Sequence, residues 1–286
     1  MSNLLSEIRE ICRIYEIKPS RSKGQNFLIN EKIYDDIIKC ADLKETDTVL
    51  EIGPGLGFLT LKLAQRTKKV IAVELDNQLA SYLQTGFDAQ NMENVKIVNQ
   101  DILKFNIDDY VEGKSKYKIV ANLPYNITSI FLRLFLSAYH KPESMVLMLQ
   151  KEVAERIVSQ APDMSLLALS VQYYADAEII REVKAGNFWP EPKVDSAIIK
   201  IILKKPSKLT PEEQAKEDKL FFRLAKISFS AKRKMLKNNL AGGLEIDQKI
   251  IIEILEKNKF NPLLRAEDLS LDDFLKLFAA LRKFMV

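Results

Sequence analysis

The chain shows two successive patterns of apolar and polar positions. From Thr48 to about Leu203, short runs rich in Val and Ile alternate with longer runs of helical spacing. TVLEI (48–52), KVIAVEL (69–75), VKIV (95–98), YKIVANL (117–123) and SMVLML (144–149) read as strands. FLTLKLAQRT (58–67), QLASYLQ (78–84) and SIFLRLFLSAY (129–139) repeat their apolar residues every three to four positions and read as helices. Strands alternating with helices predict an α/β fold built on a mostly parallel sheet. LALSVQYYADAEII (167–180) and DSAIIKIIL (195–203) read as two further strands that pair antiparallel and close the sheet edge. The first residues, MSNLLSEIREICRIYEIKP, form an amphipathic helix pattern.

After KKPSKLTPEE (204–213) only helical spacing remains, in 212–229, 230–240, 247–258 and 270–284. Thr210, Pro211 and Glu213 read as N-cap, first helical residue and capping-box partner; Asp247 and Ser270 stand where N-caps belong. The expected division is therefore a catalytic domain over 1–206 and a small all-helical domain over 207–286, with the boundary near Pro206.

Composition narrows the chemistry. Apolar residues make up 47% of the 286 residues, enough for a sizeable core, and no apolar run is long enough for a membrane span. The start lacks the basic flank and cleavage site of a signal peptide, so a cytoplasmic protein is expected, with no membrane partner. Cys12 and Cys40 form neither a disulfide framework nor a zinc motif, and no metal is expected. The single histidine, His140, reads as a helix-end residue, which leaves little room for His-based catalysis. The net charge is +4, but from Lys204 onward there are 18 Lys+Arg against 12 Asp+Glu. A basic end on a near-neutral body points to a polyanion partner. The stretch from Arg223 to Lys237 holds Arg223, Lys226, Lys232, Arg233, Lys234 and Lys237 and no acid. Such a cluster is expected to bind phosphates without reading sequence. No obvious interface helix is present, so a monomer is expected.

The residues from Glu51 to Gly57, EIGPGLG, follow a strand and open a helix. Gly53 and Gly55 permit a tight turn and close backbone approach to a nucleotide. The second strand ends in Glu74, placed to accept hydrogen bonds from both hydroxyls of a ribose. The third ends in Asp101, placed to accept from an adenine amine, with Ile102 to pack on the ring; Leu75, beside Glu74, joins this set. All stand at carboxyl ends of successive strands, where open sheets bind ligands. A dinucleotide fingerprint spaces its glycines differently, and Phe58 occupies the position after Gly57. The spacing therefore favours S-adenosylmethionine over a dinucleotide, without a metal.

The fourth strand runs into Asn122-Leu123-Pro124-Tyr125. An adenine N6 amine is a poor nucleophile because its lone pair is delocalised into the ring. The Asn122 side-chain oxygen and the Leu123 carbonyl can accept both N–H bonds, provided Pro124 holds the turn. Those bonds strengthen as positive charge develops on nitrogen. Tyr125 offers a face on which a flipped base can stack. Phe188, in the segment Phe188-Trp189-Pro190-Glu191-Pro192-Lys193, is expected to sandwich the base from the other side, with Lys193 meeting a phosphate and Trp189 packing.

Lys23 to Leu28, Glu51 to Gly57, Asn122 to Tyr125, Gln150 to Ala154, Pro192 to Ala197 and Arg265 to Ser270 together resemble the ribosomal RNA adenine dimethyltransferases, most nearly their bacterial small-subunit branch. The resemblance implies a Rossmann-like class I methyltransferase fold with a seven-stranded sheet, one strand antiparallel, and a helical C-terminal domain that grips RNA. It implies N6-dimethylation of two adjacent adenosines in the 3′-terminal hairpin loop of 16S rRNA, within the immature small subunit. S-adenosylmethionine would be the donor and S-adenosylhomocysteine the product. Carried over by motif, Asn26, Leu28, Gly53, Glu74, Asp101 and Asn122 would contact the donor. The large-subunit enzymes of macrolide-resistance type share the loop and the turn and remain the alternative, as does an assembly checkpoint role in which RNA binding matters more than methylation.

Overall fold

The computed structural model describes residues 4–20, 24–113, 115–205 and 209–285. Lys23 of the motif and the expected boundary at Pro206 lie outside the described residues. The chain forms two units. The first comprises Met1–Ala154 and Asp176–Leu203; the second comprises Glu155–Ala175 and Lys204–Val286. This differs from a single cut at 206, because residues 155–175 belong with the C-terminal helices.

The first unit is organised by two sets of strands. β1 (Phe27–Leu28) and β8 (Phe188–Trp189) pair antiparallel as a short ribbon. β2 (Thr48–Ile52), β3 (Lys69–Glu74), β4 (Val95–Asn99), β5 (Lys118–Asn122), β6 (Ser144–Gln150), β7 (Ala175–Val183) and β9 (Ser196–Leu203) form one seven-stranded sheet. The order is β4-β3-β2-β5-β6-β9-β7; β2 to β6 are parallel and β9 runs antiparallel to β6. The central strands are buried on both faces, so they read as unbroken apolar runs rather than alternating ones. Leu50, Ile71 and Ile119 are each fully buried, a gain of about 1.5–3 kcal/mol per side chain over exposure. One residue breaks the apolar run of β2: Glu51, 1% exposed between Ala72 of β3 and Val120 of β5.

Helices α1 (Leu4–Ile14), α2 (Glu31–Ala41), α3 (Phe58–Ala64), α4 (Asn77–Ala89) and α5 (Thr128–Leu136) accompany this sheet, and α6 (Lys151–Val158) follows β6 directly. Their starts are chemically marked. Asn30 caps α2 through Lys32 N, and Asp76 caps α4 by accepting from Gln78 N at 2.9 Å and Leu79 N at 3.2 Å. His140 lies beyond the end of α5; its ring nitrogens meet Asp108 Oδ1 and Ser115 O, both at 2.7 Å.

Two sequence expectations change here. The run LALSVQYYADAEII is not one strand: α7 (Leu166–Tyr174) occupies its first half and β7 follows. The first half of the run is short and mostly apolar, and periodicity alone cannot separate a buried helix segment of that length from a strand. Within the second unit, the Ser165 hydroxyl caps α7 by accepting from Ala168 N, and Met164 N donates to Glu267 O at 3.0 Å. Tyr173 and Tyr174 both donate to the Asp218 carboxylate, and the Tyr173 ring stacks on Phe221 with centroids 4.3 Å apart. These contacts explain why 155–175 belongs with the C-terminal helices.

The second change concerns SAKRKMLKNNL (230–240). α8 (Pro211–Ser228) ends earlier and α9 begins only at Leu236, so Lys232, Arg233 and Lys234 lie on an exposed turn. The buried Asn239 sets that turn by donating to Ser228 O at 2.7 Å and Ala231 O at 3.2 Å. α10 (Gln248–Lys257) and α11 (Leu271–Leu281) complete the unit, capped by Asp247 and Ser270; the Thr210–Glu213 capping box opens α8. No helix of the described residues is long and apolar enough to cross a membrane.

Asn239→Ala leaves one buried and one partly buried carbonyl without their donor. It should destabilise the chain by about 1–3 kcal/mol in a urea titration, with an unchanged m-value.

Candidate active site

The carboxyl ends of β2, β3 and β5 open onto one cleft of about 210 Å³. All nine residues expected at the donor line it: Asn26, Leu28, Gly53, Gly55, Glu74, Leu75, Asp101, Ile102 and Asn122. The structure brings these residues together from five separate stretches of chain, as expected where helices and strands alternate in an open sheet.

The glycine loop forms the floor. Gly53 N donates to Val73 O at 3.0 Å, stitching the loop to β3. Gly55 has φ +59°, and a Cβ there would approach the Phe27 ring to 3.2 Å. Its N–H donates to Glu74 Oε2 at 3.3 Å. Gly57, with φ +84°, would drive a Cβ to 2.7 Å from Leu83, so the helix can begin there only without a side chain. Glu74 Oε1 accepts from Asp76 N at 2.9 Å. Burial raises the Glu74 carboxyl above its ordinary range, while these two N–H groups oppose the rise.

Asp101 has two relations. Its Oδ1 caps the short helical turn at 102–104 by accepting from Leu103 N at 2.9 Å, and the residue also lines the cleft. Ile102 beside it is buried, whereas Leu75 is 60% exposed at the cleft's edge.

The β5 end holds Asn122 in one orientation. Its Nδ2 donates to Asn26 O at 3.4 Å, so Oδ1 is the amide atom left to accept. Leu123 N donates to Met148 O at 3.1 Å, and Pro124, at φ −56°, turns the chain outward. The Tyr125 hydroxyl meets Ser196 Oγ at 2.7 Å, which fixes the ring; burial raises its pKa. Asn122 and Pro124 line the cleft; Leu123 and Tyr125 are not among its lining residues.

Phe188, expected to sandwich a base against Tyr125, is not among the residues that line the cleft. It is 3% exposed and packs in the core of the first unit. Trp189, read as a packing residue, does pack against that core and lies under the Arg9 guanidinium at 5.7 Å. Leu28 of the donor set pairs with Phe188 across the β1–β8 ribbon, and Ile29 N donates to Asn187 O at 2.8 Å.

Lys193 is exposed on the loop after that ribbon. In the second unit, Arg223, Lys226, Lys232, Arg233 and Lys234 are exposed and Lys237 is half-buried. Arg223 Nη1 donates to Met285 O at 3.1 Å, so part of its capacity serves the fold.

The cleft also contains residues that the sequence reading passed over. Gln25 bridges the loop before β1 to α4, accepting from Ser20 N at 2.7 Å and donating to Asp76 Oδ2 at 3.4 Å. Tyr34, buried, donates to Leu28 O at 3.1 Å. Glu51 lies at the back, and its Oε2, like Thr60 Oγ1, is buried without a hydrogen-bond partner among the described residues. The sequence did carry a signal for it: a single acid in an otherwise apolar central strand. Among the described residues no cluster of three or more metal-ligating side chains is present.

Comparison with known proteins agrees with this architecture. The chain is 44% identical over 275 residues to the ribosomal RNA small subunit methyltransferase A of Dehalococcoides mccartyi strain CBDB1, covering 96% of this chain and 92% of that one. It is 40% identical over 272 residues to the protein of the same name from Clostridium botulinum strain Okra, covering 94% and 96%. Among solved structures, a dimethyladenosine transferase from Plasmodium falciparum superposes with TM-score 0.77 at 29% identity, over 90% of this chain and 98% of that one. The 23S rRNA methyltransferase ErmE shares the fold with TM-score 0.71 at 24% identity, over 90% and 100%. Residues 17–283 match the family described as ribosomal RNA adenine dimethylase, and with the cleft, the glycine loop and the Asn122 turn all inside that span, the chain belongs to this family of rRNA adenine dimethyltransferases.

Proposed function

We propose that this enzyme transfers methyl groups from S-adenosylmethionine to the N6 atoms of two adjacent adenosines in the 3′-terminal hairpin loop of 16S rRNA, acting as a cytoplasmic monomer on the immature small subunit. The observation that carries the reading is the posture of Asn122. With Nδ2 held by Asn26 O and Leu123 N held by Met148 O, an amide oxygen and a peptide carbonyl remain as acceptors at the end of β5.

The cleft's groups suit the donor. Glu74 ends β3 with a carboxylate for ribose hydroxyls. Asp101 has a second carboxylate oxygen for a purine amine, and Ile102 and Leu75 supply apolar surface for the ring. The donor, when bound, supplies an electrophilic methyl on a sulfonium. The rest is done by the chain. Asn122 Oδ1 and Leu123 O accept the two N–H bonds of the target amine and aim its lone pair. Their hold tightens as the nitrogen becomes cationic, which lowers the barrier. Tyr125, fixed by Ser196, gives the flipped base a face to stack on. Phe188 meets the base from the other side only by leaving its packed position, so we assign that half of the sandwich to the RNA-bound state. The product ammonium loses its proton to water, and no covalent intermediate is needed. The exposed turn 232–234, with Lys226, Lys237 and Lys193, neutralises phosphates, and Arg223 contributes less because it also holds Met285 O.

The direct test is transfer of labelled methyl to purified immature subunits. Small subunits should take up label; label confined to large subunits would overturn the substrate assignment. Asn122→Ala should lower kcat by about 10²–10³-fold while leaving rRNA affinity within about twofold. Changing Lys232, Arg233 and Lys234 together to Ala should flatten the slope of log affinity against log salt by about 2–3. Arg223→Ala should move that slope by less than any one of the three.

A further inference from the structure

The buried end of β2 contains a group that the chemistry above does not use. Glu51 is 1% exposed in the centre of the sheet, yet it lines the cleft. Its Oε2 makes no well-formed hydrogen bond among the described residues, and the neighbouring Thr60 hydroxyl eases its charge only in part. The groups around it are Tyr34 from α2, Thr60 from α3 and Glu74 from β3, with Ala72 and Val120 on the flanking strands. None of them brings positive charge. An unpaired carboxylate in such surroundings is expensive, and the group avoids the cost by holding a proton.

We propose that Glu51 is the internal counter-charge for the cationic methyl donor: it holds a proton in the empty cleft and releases it as the donor's positive charge enters. This rests on the donor reading above and adds a proton to the binding equilibrium. The step balances: the Glu51 carboxyl loses H⁺ to solvent, and the resulting carboxylate pairs with a cation of the ligand. Burial, the main cause, pushes the Glu51 carboxyl up to about 8; the Thr60 hydroxyl opposes the rise and the Glu74 charge adds to it. Below that pH the empty enzyme carries the proton and the donor must displace it. Donor affinity therefore tightens as pH rises toward 8, by at most about tenfold per unit, and levels off above. The same shift has a stability consequence of definite sign. Between the ordinary carboxylate range and pH 8 the folded chain holds a proton that the unfolded chain releases, so stability of the empty enzyme falls as pH rises through that window.

Calorimetric titration of the full chain with S-adenosylmethionine at pH 6.5, in two buffers of different ionisation enthalpy, counts the protons released. At that pH the donor's own amine is already charged, since such groups titrate near pH 8. Wild type should release about one proton per donor bound. Glu51→Gln should release none, bind about 10- to 100-fold more weakly at pH 8, and melt at a higher temperature than wild type there when empty. Glu74→Gln should keep the proton release. Donor binding without proton release by wild type, or release that survives in Glu51→Gln, would overturn the proposal while leaving the donor reading intact. Absence of donor binding at every pH would remove both. If Glu51→Gln fails to fold, the wild-type and Glu74→Gln counts decide together: release by both supports Glu51, and release by neither or by wild type alone overturns it.

Discussion

The Glu74 carboxylate holds the site together. One oxygen accepts from Gly55 N in the loop after β2, and the other accepts from Asp76 N at the start of α4. A single side chain at the end of β3 thereby fixes the glycine loop against the start of α4. Asp76 then caps α4 and receives Gln25 from the segment before β1. The glycine loop, the start of α4 and the segment before β1 are thus tied to one buried carboxylate and to Asp76 two residues on. Both oxygens of Glu74 are engaged with backbone before any ligand is bound, so the site is organised in advance rather than assembled around the donor.

The same end of the sheet combines rigidity with unsatisfied capacity. At β5 the backbone and the Asn122 amide nitrogen are spent on Met148 and Asn26, while the acceptor atoms are left over. At β2 the Glu51 oxygen is left over in the core. Both are polar groups without partners, kept in position by strands buried on both faces. Elsewhere in the described residues buried polar groups are well matched, as with Asn239 and Ser228 in the second unit. The unmatched ones collect where a nucleotide-sized cleft opens.

Much of this was legible in the residues. β2 to β6 follow their Val- and Ile-rich runs to within one or two positions, because a strand buried on both faces leaves an unbroken apolar run between turn signals. The convergence of the candidate residues was legible because strand ends converge: Glu74 and Asn122 end strands and Asp101 stands two residues past β4, which is enough to bring them to one cleft. The capping boxes at Thr210 and Ser270 were legible because they are local. What depended on distant partners was not. α7 looked like a strand because its anchors, Asp218 and Phe221, come some 45 residues later. The basic segment looked helical because nothing in it announces that Asn239 will hold its carbonyls in a turn. Phe188 looked available because its burial is set by β1, about 160 residues earlier.

That last pairing has a consequence for the order in which the molecule becomes competent. The ribbon joins Phe27 and Leu28 to Phe188 and Trp189, and it is only two residues wide on each side. Its loop-closure cost is met only after most of the first unit has been made. On a growing chain, the parallel core from β2 to β6 can condense while Asn26 and Leu28 still lack the strand that holds them. The β1 side of the cleft is finished by nearly the last stretch of the first unit to be synthesised. A chain truncated before Trp189 would therefore keep its glycine loop and its carboxylates but lose the ribbon that anchors Leu28 beside the cleft.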